Sequence, residues 1–568
     1  MPEIVTRSVD EAARALLVAA GCDKRLAPLF AARGVREYAE LASTFDALTP
    51  PDRLAHIDEA ATLLADGIAK GEKLLVVADY DADGATACAV AVRALRALGA
   101  KVDYIVPHRF RHGYGLTPEV VREAAERKPD LIITVDNGIA AVAGVEEATK
   151  LGIRVLVTDH HLPGDQRPAA TCIVNPNQAG CGFPSKNLAG VGVIFYVMLA
   201  LRAELRRRGA FAGTPPPNLA NLLDIVALGT VADVVKLDAN NRILVSQGLA
   251  RIRAGKACPG IRALFEVAGR PTWRAATYDL GFVAGPRLNA AGRMDDMSVG
   301  IECLITDDPV RARQLATELD RLNRERRVVE GDMQESALAM LADIPETDGF
   351  TLSIHHPDWH AGVVGILASR IKDRFHRPVF AFAADGEGTL RGSGRSIAGF
   401  HLRDALDLVD KRNAGLLERF GGHAAAAGVT LAAGSLERFR TAFESVAREL
   451  LSVSDLERRI ETDGELAADE NTLELAKLLR EVPWGQGFPD PRFVGRFEVA
   501  AQRVVAEKHA KLTLVQGKHR FSAMRFGSAD PLPAAITAVY RLDVNEYQGA
   551  ETLQLTLEHC EDARAGDG

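Results

Sequence analysis

The sequence predicts an α/β protein made of a domain with a parallel sheet, a long connecting helix, a smaller α/β domain and a C-terminal β-barrel module. Three patterns support this prediction. In the first half of the chain, short apolar runs bounded by turn residues alternate with segments of helical length, as in βα units. A densely charged stretch after residue 307 keeps helical spacing throughout. The last part of the chain alternates apolar and polar residues, as the strands of a small barrel do.

Size and composition define the broad class. A chain of 568 residues and 61.0 kDa is too long for a single core, and 47% hydrophobic with 25% charged residues is typical of a globular protein. The 7 cysteines include no CxxC pair, so neither a disulfide framework nor a zinc knuckle is indicated. We expect a cytoplasmic protein without a membrane anchor. The net charge of −8 is only a weak objection to a nucleic-acid partner, because binding depends on local basic surface.

The same patterns predict the domain boundaries. We expect a helical lead-in at residues 1–70, a domain with the parallel sheet at 71–306, a connecting helix at 307–345, a smaller α/β domain at 346–450 and the β-barrel module at 451–568. The sequence does not reveal what the lead-in does. The long helix could either join two domains across a cleft or pack along one of them.

The stretch LLVVADYDADG, from Leu74 to Gly84, joins a predicted buried strand to three closely spaced acids, Asp79, Asp81 and Asp83. In open α/β sheets, ligands bind at the carboxyl ends of the strands, where these acids are expected. Three carboxylates this close repel one another, so the arrangement is costly unless cations neutralise it. Taken alone, the motif could equally be a solvated acidic turn.

Two further predicted strands end in the same way. The strand LIITV precedes Asp136, and the strand IRVLVT precedes Asp159, His160 and His161. Because helical segments separate the strands, we expect the strands to be parallel with their ends at one edge of the sheet. Carboxylates and imidazoles without a nearby cysteine favour Mn²⁺ or Mg²⁺ over structural zinc. Three such clusters predict a two-metal site for phosphoryl transfer rather than solvated loops.

Other segments could add a metal ligand or bind phosphate. The predicted helix LLDIVALGTVADVV carries Asp224 and Asp233, and spacing alone does not decide which of them reaches the metal site. The segment PHRFRHGYGL places Arg109 after a predicted strand, where its guanidinium could bind a phosphate, although a surface loop with solvated arginines is the alternative. The segment GPRLNAAGRM sets Arg287 and Arg293 beside small residues that allow a ligand to come close.

The smaller α/β domain is predicted from strands at Phe350–His355 and Val379–Ala383 and a helix at Gly362–Phe375. We expect GSGRS and GGHAAAAG to form glycine-rich turns, the first presenting Arg395 and Ser396 and the second presenting His423. Glycine lets backbone N–H groups approach phosphate oxygens, but a single turn of this kind is weak support for a site.

The C-terminal module contains alternating stretches at 497–505, 511–516, 521–526 and 553–557. Its basic side chains lie among histidine and phenylalanine rings, a pattern typical of an OB fold that binds single strands. The alternative is a hairpin with ordinary solvated lysines. The residues concerned are Arg503, Lys508, His509, Lys511, Lys518, His519, Arg520, Phe521, Arg525 and Phe526.

These motifs together resemble the DHH phosphoesterase superfamily. The Asp-His-His triplet, DYDADG and VDNG are similar to its catalytic core. PHRFRHGYGL, LAGVGVIFY, ALGTVADVV, GPRLNAAGRM, WHAGVVGILASRI, GSGRS and GGHAAAAG stand in the order found in its exonucleases specific for single-stranded DNA. The resemblance implies a DHH catalytic domain, a DHHA1 domain and an OB-like module. It also selects Asp233 over Asp224 as the metal ligand.

The resemblance further implies an activity. We expect a 5′→3′ exonuclease that hydrolyses single-stranded DNA to 5′-mononucleotides in DNA repair and recombination, with single-strand-binding protein and a helicase as partners. We expect Asp136 and His161 to be catalytic. Because adjacent side chains diverge, His161 cannot easily share a metal with His160, so we expect it to position the scissile phosphate or to protonate the leaving oxygen. Two Mn²⁺ or Mg²⁺ ions would be held by Asp79, Asp81, Asp83, Asp136, His160 and Asp233. Substrate would be bound by Arg109, Arg293, Ser393, Arg395, Ser396 and His423.

Two other functions stay open at this point. A DHH phosphodiesterase for cyclic dinucleotides or short oligonucleotides would have the same metal site, but it would not need the C-terminal module. A DNA-binding scaffold without catalytic activity would be expected to lose metal ligands, and here every expected acid and histidine is present.

Overall fold

The computed structural model describes residues 2–107, 115–164, 166–342, 349–386, 388–547 and 549–563. The chain forms two compact units. The larger unit comprises Thr6–Asp320 and Glu461–Gly568, and the smaller unit comprises Met1–Val5 and Arg321–Ile460.

A five-stranded parallel sheet is the centre of the larger unit. Every pair of neighbouring strands is parallel, as predicted, so the carboxyl ends of all the strands lie at one edge. The middle strands consist almost entirely of buried apolar residues, which is typical of a sheet covered on both faces. In the order in which they pair, the strands are Lys101–Ile105, Lys73–Ala78, Leu131–Val135, Arg154–Thr158 and Cys172–Val174.

The helix after the strand Lys73–Ala78 begins within the acidic turn. It spans Ala82–Ala97, and the side chain of Asp81 accepts hydrogen bonds from the backbone N–H groups of Asp83 and Gly84 at its start. A carboxylate at this position satisfies donors that have no partner within the helix. The acidic turn therefore forms the N-terminus of the helix.

Helices surround the sheet and extend the larger unit on both sides of it. They span Glu11–Ala19, Ala27–Ala31, Ile57–Lys70, Ala82–Ala97, Pro118–Glu126, Val142–Lys150, Gly190–Arg207, Leu223–Ala232, Ala239–Arg253, Pro259–Val267, Thr277–Asp279, Gly285–Met294, Ser298–Ile305 and Leu473–Glu481, with a π-helical turn at Leu280–Ala284.

The C-terminal part of the larger unit is a closed five-stranded barrel, which confirms the predicted β-barrel module. One of its strands, Ala535–Tyr547, is absent from the sequence prediction, and the predicted strands are longer than expected. In the order in which they pair, the strands are Phe493–Val505, His509–Gln516, His519–Arg525, Ala550–Asp562 and Ala535–Tyr547. A separate two-stranded sheet joins Glu3–Thr6 to Arg459–Thr462.

The smaller unit is an α/β domain, as predicted, but one motif differs from the prediction. The first four residues of GSGRS form the end of the strand Thr389–Arg395 and not a turn, because Gly392 and Gly394 pack directly on Phe382 and Phe380, where a Cβ atom would collide. Its sheet pairs Arg419–Gly422, Ala426–Ala432, Thr389–Arg395, Val379–Ala384 and Leu352–His355 in that order. Its helices are Val364–Phe375, Leu402–Arg412 and Leu436–Leu450.

The long helix spans Pro309–Ala342 and begins where the sequence predicts. Its first turn is capped by Asp308, whose carboxylate accepts a hydrogen bond from the backbone N–H of Val310 at 2.9 Å. Residues up to Asp320 belong to the larger unit, and residues from Arg321 belong to the smaller one. Over the part of the chain that the structure describes, every helix is too short or too polar to span a lipid bilayer.

Candidate metal centre

The acids that follow three neighbouring sheet strands lie side by side. The backbone ladder continues one residue beyond each strand. The N–H of Asp79 donates to the carbonyl of Val135, and the N–H of Asp136 donates to that of Thr158. The N–H of Asp159 continues the series on the last strand. The parallel register therefore carries these residues to a common edge, as the sequence predicts.

His160 is surrounded by carboxylates. Its Nε2 atom lies 3.1 Å from Oδ1 of Asp136, 3.6 Å from Oδ2 of Asp233 and 4.0 Å from Oδ2 of Asp83. A second group consists of Asp79, Asp81 and Asp136, with one oxygen from each lying within 4.8 Å of the others. Asp136 belongs to both groups and so stands at the centre of the cluster.

The structure distinguishes between the two acids of the helix Leu223–Ala232. Asp233 lies directly after its last turn and reaches His160. Asp224, in its first turn, is fully buried elsewhere, and its carboxylate accepts a 2.6 Å hydrogen bond from the backbone N–H of Cys258. Only Asp233 joins the cluster, because the two side chains leave the helix in different directions.

Asp83 is held rigidly by a neighbouring helix. Its two carboxylate oxygens accept hydrogen bonds from the N–H groups of Gly190 and Val191, at 2.6 and 2.9 Å. These are the first residues of the helix Gly190–Arg207. Asp83 thus satisfies two free donors at the positive end of that helix while it faces the cluster.

Glycines allow the backbone to approach the acids closely. A Cβ atom on Gly190 would lie 2.5 Å from Cβ of Asp136, and one on Gly84 would lie 2.5 Å from the carbonyl oxygen of Asp79. Gly138, two residues after Asp136, has φ +113°. Asp136 itself adopts φ 62°, a conformation that is strained for most residues but tolerated by aspartate.

The electrostatics of the cluster are unfavourable without cations. Burial, reinforced by neighbouring carboxylates, raises the pKa of Asp136 and of Asp233 well above the usual value. Burial and the charge of Asp81 raise the pKa of Asp83 to about 7. Burial, assisted by the proximity of His161, lowers the pKa of His160 to about 4, so this imidazole is neutral. A neutral imidazole is the form that binds metals.

His161 is fixed by Asp159. Its Nδ1 atom lies 2.7 Å from Oδ1 of Asp159, and the other carboxylate oxygen accepts a hydrogen bond from the backbone N–H of Ile139. Burial lowers the pKa of His161, but the hydrogen bond and charge of Asp159 outweigh it and raise that pKa to about 9. The rings of His160 and His161 do not diverge as expected, since their centroids are 4.5 Å apart.

Three asparagines support the site, and sequence reasoning missed them. Asn175 and Asn177 donate to the backbone carbonyls of His161 and His160, at 2.9 and 2.6 Å. Asn289 accepts a hydrogen bond from the backbone N–H of Ala82 within the acidic turn. The sequence feature that could have identified Asn175 and Asn177 is the motif VNPN at the end of the strand Cys172–Val174.

The donor set fits divalent cations. Among the described residues, Nε2 of His160 is buried without a hydrogen bond, although three carboxylates surround it. Buried acids from several elements also converge on the same place. Carboxylate oxygens and imidazole nitrogens are ligands that Mn²⁺ and Mg²⁺ accept.

Arg293 lies beside the metal cluster. It occupies the last turn of the helix Gly285–Met294. The preceding residue, Gly292, packs on the acidic turn so closely that a Cβ atom there would lie 1.8 Å from the carbonyl oxygen of Tyr80. Arg109 lies outside the described residues.

The predicted residues of the smaller unit divide into two groups. Ser393 and Arg395 share the half-exposed face of one strand, and the exposed His423 lies in the turn before the adjacent strand. Ser396 differs, because it is 8% exposed and its hydroxyl donates to the carbonyl of Phe400 at 2.7 Å. This structural hydrogen bond argues against the expected role of Ser396 in binding substrate.

The barrel carries basic side chains on its surface. Arg503 and Lys511 are direct cross-strand partners, and like charges in such a pair are unfavourable unless an anion binds there. Phe526 is 58% exposed and contacts His509 at 5.4 Å between centroids. Phe521 was expected beside the basic residues, but it is buried in the barrel core because its position on the strand faces inward.

Comparisons with known proteins identify the family. The chain matches the DHH family, N-terminal domain, at residues 73–230, the DHHA1 domain at residues 347–449 and the RecJ OB domain at residues 462–559. A protein of Dickeya dadantii named single-stranded-DNA-specific exonuclease RecJ is 52% identical over 545 residues, which cover 94% of this chain and 95% of that protein. The chain belongs to the RecJ family. The family resemblance expected from the motifs is therefore confirmed.

Solved RecJ structures share the fold. The crystal structure of RecJ from Thermus thermophilus in complex with Mn²⁺ has a TM-score of 0.81 and 30% identity, and covers 99% of this chain and 80% of that chain. The complex of the same protein with Mg²⁺ has a TM-score of 0.76 and 29% identity, and covers 99% of this chain and 78% of that chain. These RecJ complexes contain the two metals that the donor set of the present cluster fits.

Proposed function

We propose that this protein is a metal-dependent 5′→3′ exonuclease that hydrolyses single-stranded DNA and releases 5′-mononucleotides during DNA repair and recombination. The observation that carries the proposal is the buried cluster of acids around His160 in a chain of the RecJ family. The relatives are named exonucleases specific for single-stranded DNA, which supports single-stranded DNA as the substrate. The direction of digestion rests on the family resemblance.

The metal ligands that we propose are the members of the cluster. Asp79, Asp81 and Asp136 would hold one side of it, and Asp83, His160 and Asp233 the other, with Asp136 shared between them. Two Mn²⁺ or Mg²⁺ ions, when bound, would lower the pKa of a water molecule and neutralise negative charge on the phosphodiester. The chain's own contribution is a preorganised set of ligands, held by the hydrogen bonds of Asp81 and Asp83 to helix N-termini.

We propose that His161 contacts the scissile phosphate. Because Nδ1 of His161 is bound to Asp159, the ring has a fixed orientation and Nε2 is the atom that would face the substrate. In this position it would orient a phosphate oxygen or donate a proton to the leaving 3′ oxygen. Asp159 is then a positioning residue, since it acts through His161.

Each unit carries residues that we propose for phosphate and sugar contacts. They are Arg293 in the larger unit and Ser393, Arg395 and His423 in the smaller unit. We also propose Arg109 as a phosphate-binding residue, because the family resemblance implies this role. Guanidinium groups pair with phosphate oxygens in a bidentate way. Ser396 is not among them, because its hydroxyl is used within the domain.

The barrel would bind the strand beyond the cleaved nucleotide. Arg503 and Lys511 would track the backbone, and the exposed ring of Phe526 would stack on a base. This surface is the observation that favours a polymeric substrate over a cyclic dinucleotide. We also propose single-strand-binding protein and a helicase as partners, because a nuclease of this kind needs exposed single strands. We propose a cytoplasmic location, because the DNA of the bacteria that contain the RecJ relatives lies in the cytoplasm.

One substrate panel tests the proposal. The protein is incubated with Mn²⁺ or Mg²⁺ and with end-labelled single-stranded DNA, duplex DNA, RNA or a cyclic dinucleotide. We expect only single-stranded DNA to shorten, from its 5′ end, with release of 5′-mononucleotides and complete loss of activity in EDTA. Hydrolysis of the cyclic dinucleotide instead would favour the phosphodiesterase, and an inactive protein would favour the scaffold. The Asp136→Asn variant, purified in parallel, controls for contaminating nucleases.

A further inference from the structure

The segment that follows Asp233 is strained and depends on its neighbours. Val234 adopts φ 64°, which is unfavourable for a β-branched residue, and its side chain is 62% exposed. The helix ends at Ala232, and its backbone hydrogen bonds reach as far as Asp233 and Val234, whose N–H groups donate to the carbonyls of Gly229 at 2.9 Å and Val231 at 3.3 Å. Three residues after Val234, Leu237 is buried. The contacts of Lys236 and Leu237 therefore contribute to the path that the chain takes after Asp233.

A loop that precedes the barrel lies directly on this segment. The backbone N–H of Leu237 donates to the carbonyl of Gln486 at 2.8 Å. A Cβ atom on Gly485 would lie 2.6 Å from Cδ1 of Leu237, and one on Gly487 would lie 2.4 Å from Cγ of Lys236. The side chains of Lys236 and Leu237 therefore pack against the loop backbone at positions where there is room only for glycine.

Arg242 joins the loop to the segment a second time. Its guanidinium lies 4.3 Å above the ring of Phe488 and donates to the carbonyl of Leu237 at 2.9 Å. The other end of the guanidinium donates to the carbonyl of Glu40, in the N-terminal lead-in, at 2.8 Å. Since Arg242 is only 8% exposed, these contacts are shielded from water.

The N-terminal lead-in also packs against the loop that precedes the barrel. Phe30 stacks on Phe488 at 6.0 Å and contacts Trp484 at 5.7 Å between ring centroids. Arg33 donates to the carbonyl of Pro489 and pairs with Asp463 at 2.7 Å, and both of these charged side chains are almost fully buried. Buried pairs of this kind are costly to break, so the loop is held firmly.

We propose that the lead-in and the loop form a brace that positions Asp233 for metal binding. The brace consists of Phe30, Trp484, Gly485, Phe488 and Arg242, and none of these residues belongs to the metal cluster. All of them are positioning residues, because they act on Asp233 through the chain at residues 236 and 237. This inference rests on the proposed function, and it assigns a role to the lead-in, which lies outside the matched domains.

A brace is needed because another carboxylate lies beside Asp233. An oxygen of Asp233 lies within 4.8 Å of an oxygen of Asp83, so repulsion between the two acids favours movement of the Asp233 carboxylate away from the site. Its own helix ends one residue earlier, and the following residue is strained. Metal ligands must be held within about 0.5 Å of the productive geometry, and packing of their supports provides this precision.

The first test moves the segment without removing a ligand. In Gly485→Ala, the new methyl group collides with Leu237, and we expect Mn²⁺ to bind at least five-fold more weakly, as measured by calorimetry and by the Mn²⁺ electron paramagnetic resonance signal. Single-stranded DNA affinity in EDTA should stay unchanged. The matched control is Gly434→Ala, where the methyl group would meet nothing within 4 Å.

The second test concerns the lead-in. Phe30→Leu should also weaken Mn²⁺ binding. The control is Phe497→Leu, a similar change in the barrel core, which should leave Mn²⁺ binding unchanged even if both variants unfold at a lower temperature than the wild type. If both brace variants bind Mn²⁺ like the wild type, or if the barrel variant weakens binding equally, the brace is refuted. If the wild-type protein binds Mn²⁺ but cleaves no DNA, the proposed function fails while the brace can still be judged from Mn²⁺ affinity.

Discussion

The substitution Asp136→Asn should abolish nuclease activity and at the same time stabilise the protein in the absence of metal. Asp136 lies at the centre of the cluster and belongs to two groups of candidate ligands. Its buried carboxylate is repelled by neighbouring acids, which raise its pKa. Asparagine has the same shape and tolerates the positive φ of this position, so the change removes a charge with little other perturbation.

The size of the effect follows from the geometry. Oxygens of Asp79 and Asp81 lie within 4.8 Å of an oxygen of Asp136. Two unit charges at that distance repel by roughly 3 kcal/mol with an effective dielectric constant of about 20. At alkaline pH, where Asp136 is ionised, we expect relief of about one such repulsion. The free energy of unfolding of the metal-free protein should therefore rise by on the order of 3 kcal/mol.

The pH dependence gives a second signature. A carboxyl group whose pKa is raised in the folded state lowers stability as the pH rises through that folded pKa. The advantage of Asp136→Asn should thus be largest at alkaline pH and should shrink as the pH falls and Asp136 becomes protonated in the wild-type protein.

The control is the same substitution at Asp159, which should have the opposite effect. Burial raises the pKa of Asp159, but its contacts with His161 outweigh this and leave the pKa lowered. Asp159→Asn should therefore destabilise the protein at neutral pH, by an amount that falls as the pH drops through the folded pKa. Denaturant and thermal unfolding in EDTA, with activity measured in Mn²⁺, test both variants. An Asp136→Asn protein that is less stable than the wild type, or still active, would refute the reasoning.

Three further predictions address the remaining assignments. Asp233→Asn should abolish activity and weaken Mn²⁺ binding, whereas Asp224→Asn should leave Mn²⁺ affinity intact; equal effects in calorimetry would contradict the geometry. Arg395→Gln should raise KM for single-stranded DNA, while Ser396→Ala should mainly lower stability, by about 1 kcal/mol, as measured by denaturant titration. Neutralising three basic residues of the barrel should lower the slope of log K against log salt concentration for single-stranded DNA binding by about 2. An unchanged slope would show that this surface does not bind the DNA backbone. These residues are Arg503, Lys511 and Lys518.

The metal centre could be predicted largely from the sequence because parallel strands impose a simple geometry. Once LLVVA, LIITV and the strand before His160 are recognised as strands joined by helices, their carboxyl ends must share an edge. The order of the chain then brings Asp79, Asp136 and His160 together without further information. Their roles as metal ligands remain predictions that the proposed experiments test.

Residues on helices and in the smaller unit were harder to place. The sequence could not separate Asp224 from Asp233, because the choice depends on how their helix packs. GSGRS has the composition of a turn, yet it forms a strand because the rings of Phe380 and Phe382 leave room only for glycine above them. Local composition does not report such contacts between distant parts of the chain.

The sequence by itself determined the family, the order of the domains and the acids at the ends of the sheet strands, since these follow from local pattern and strand direction. Only the tertiary structure decided that Asp159 fixes His161, that Ser396 serves the fold and that the lead-in packs behind Asp233. The physical reason is the separation along the chain between the residues that interact. Strand and helix patterns arise between residues close in sequence, whereas Phe30 and Phe488 meet only after the whole larger unit has folded.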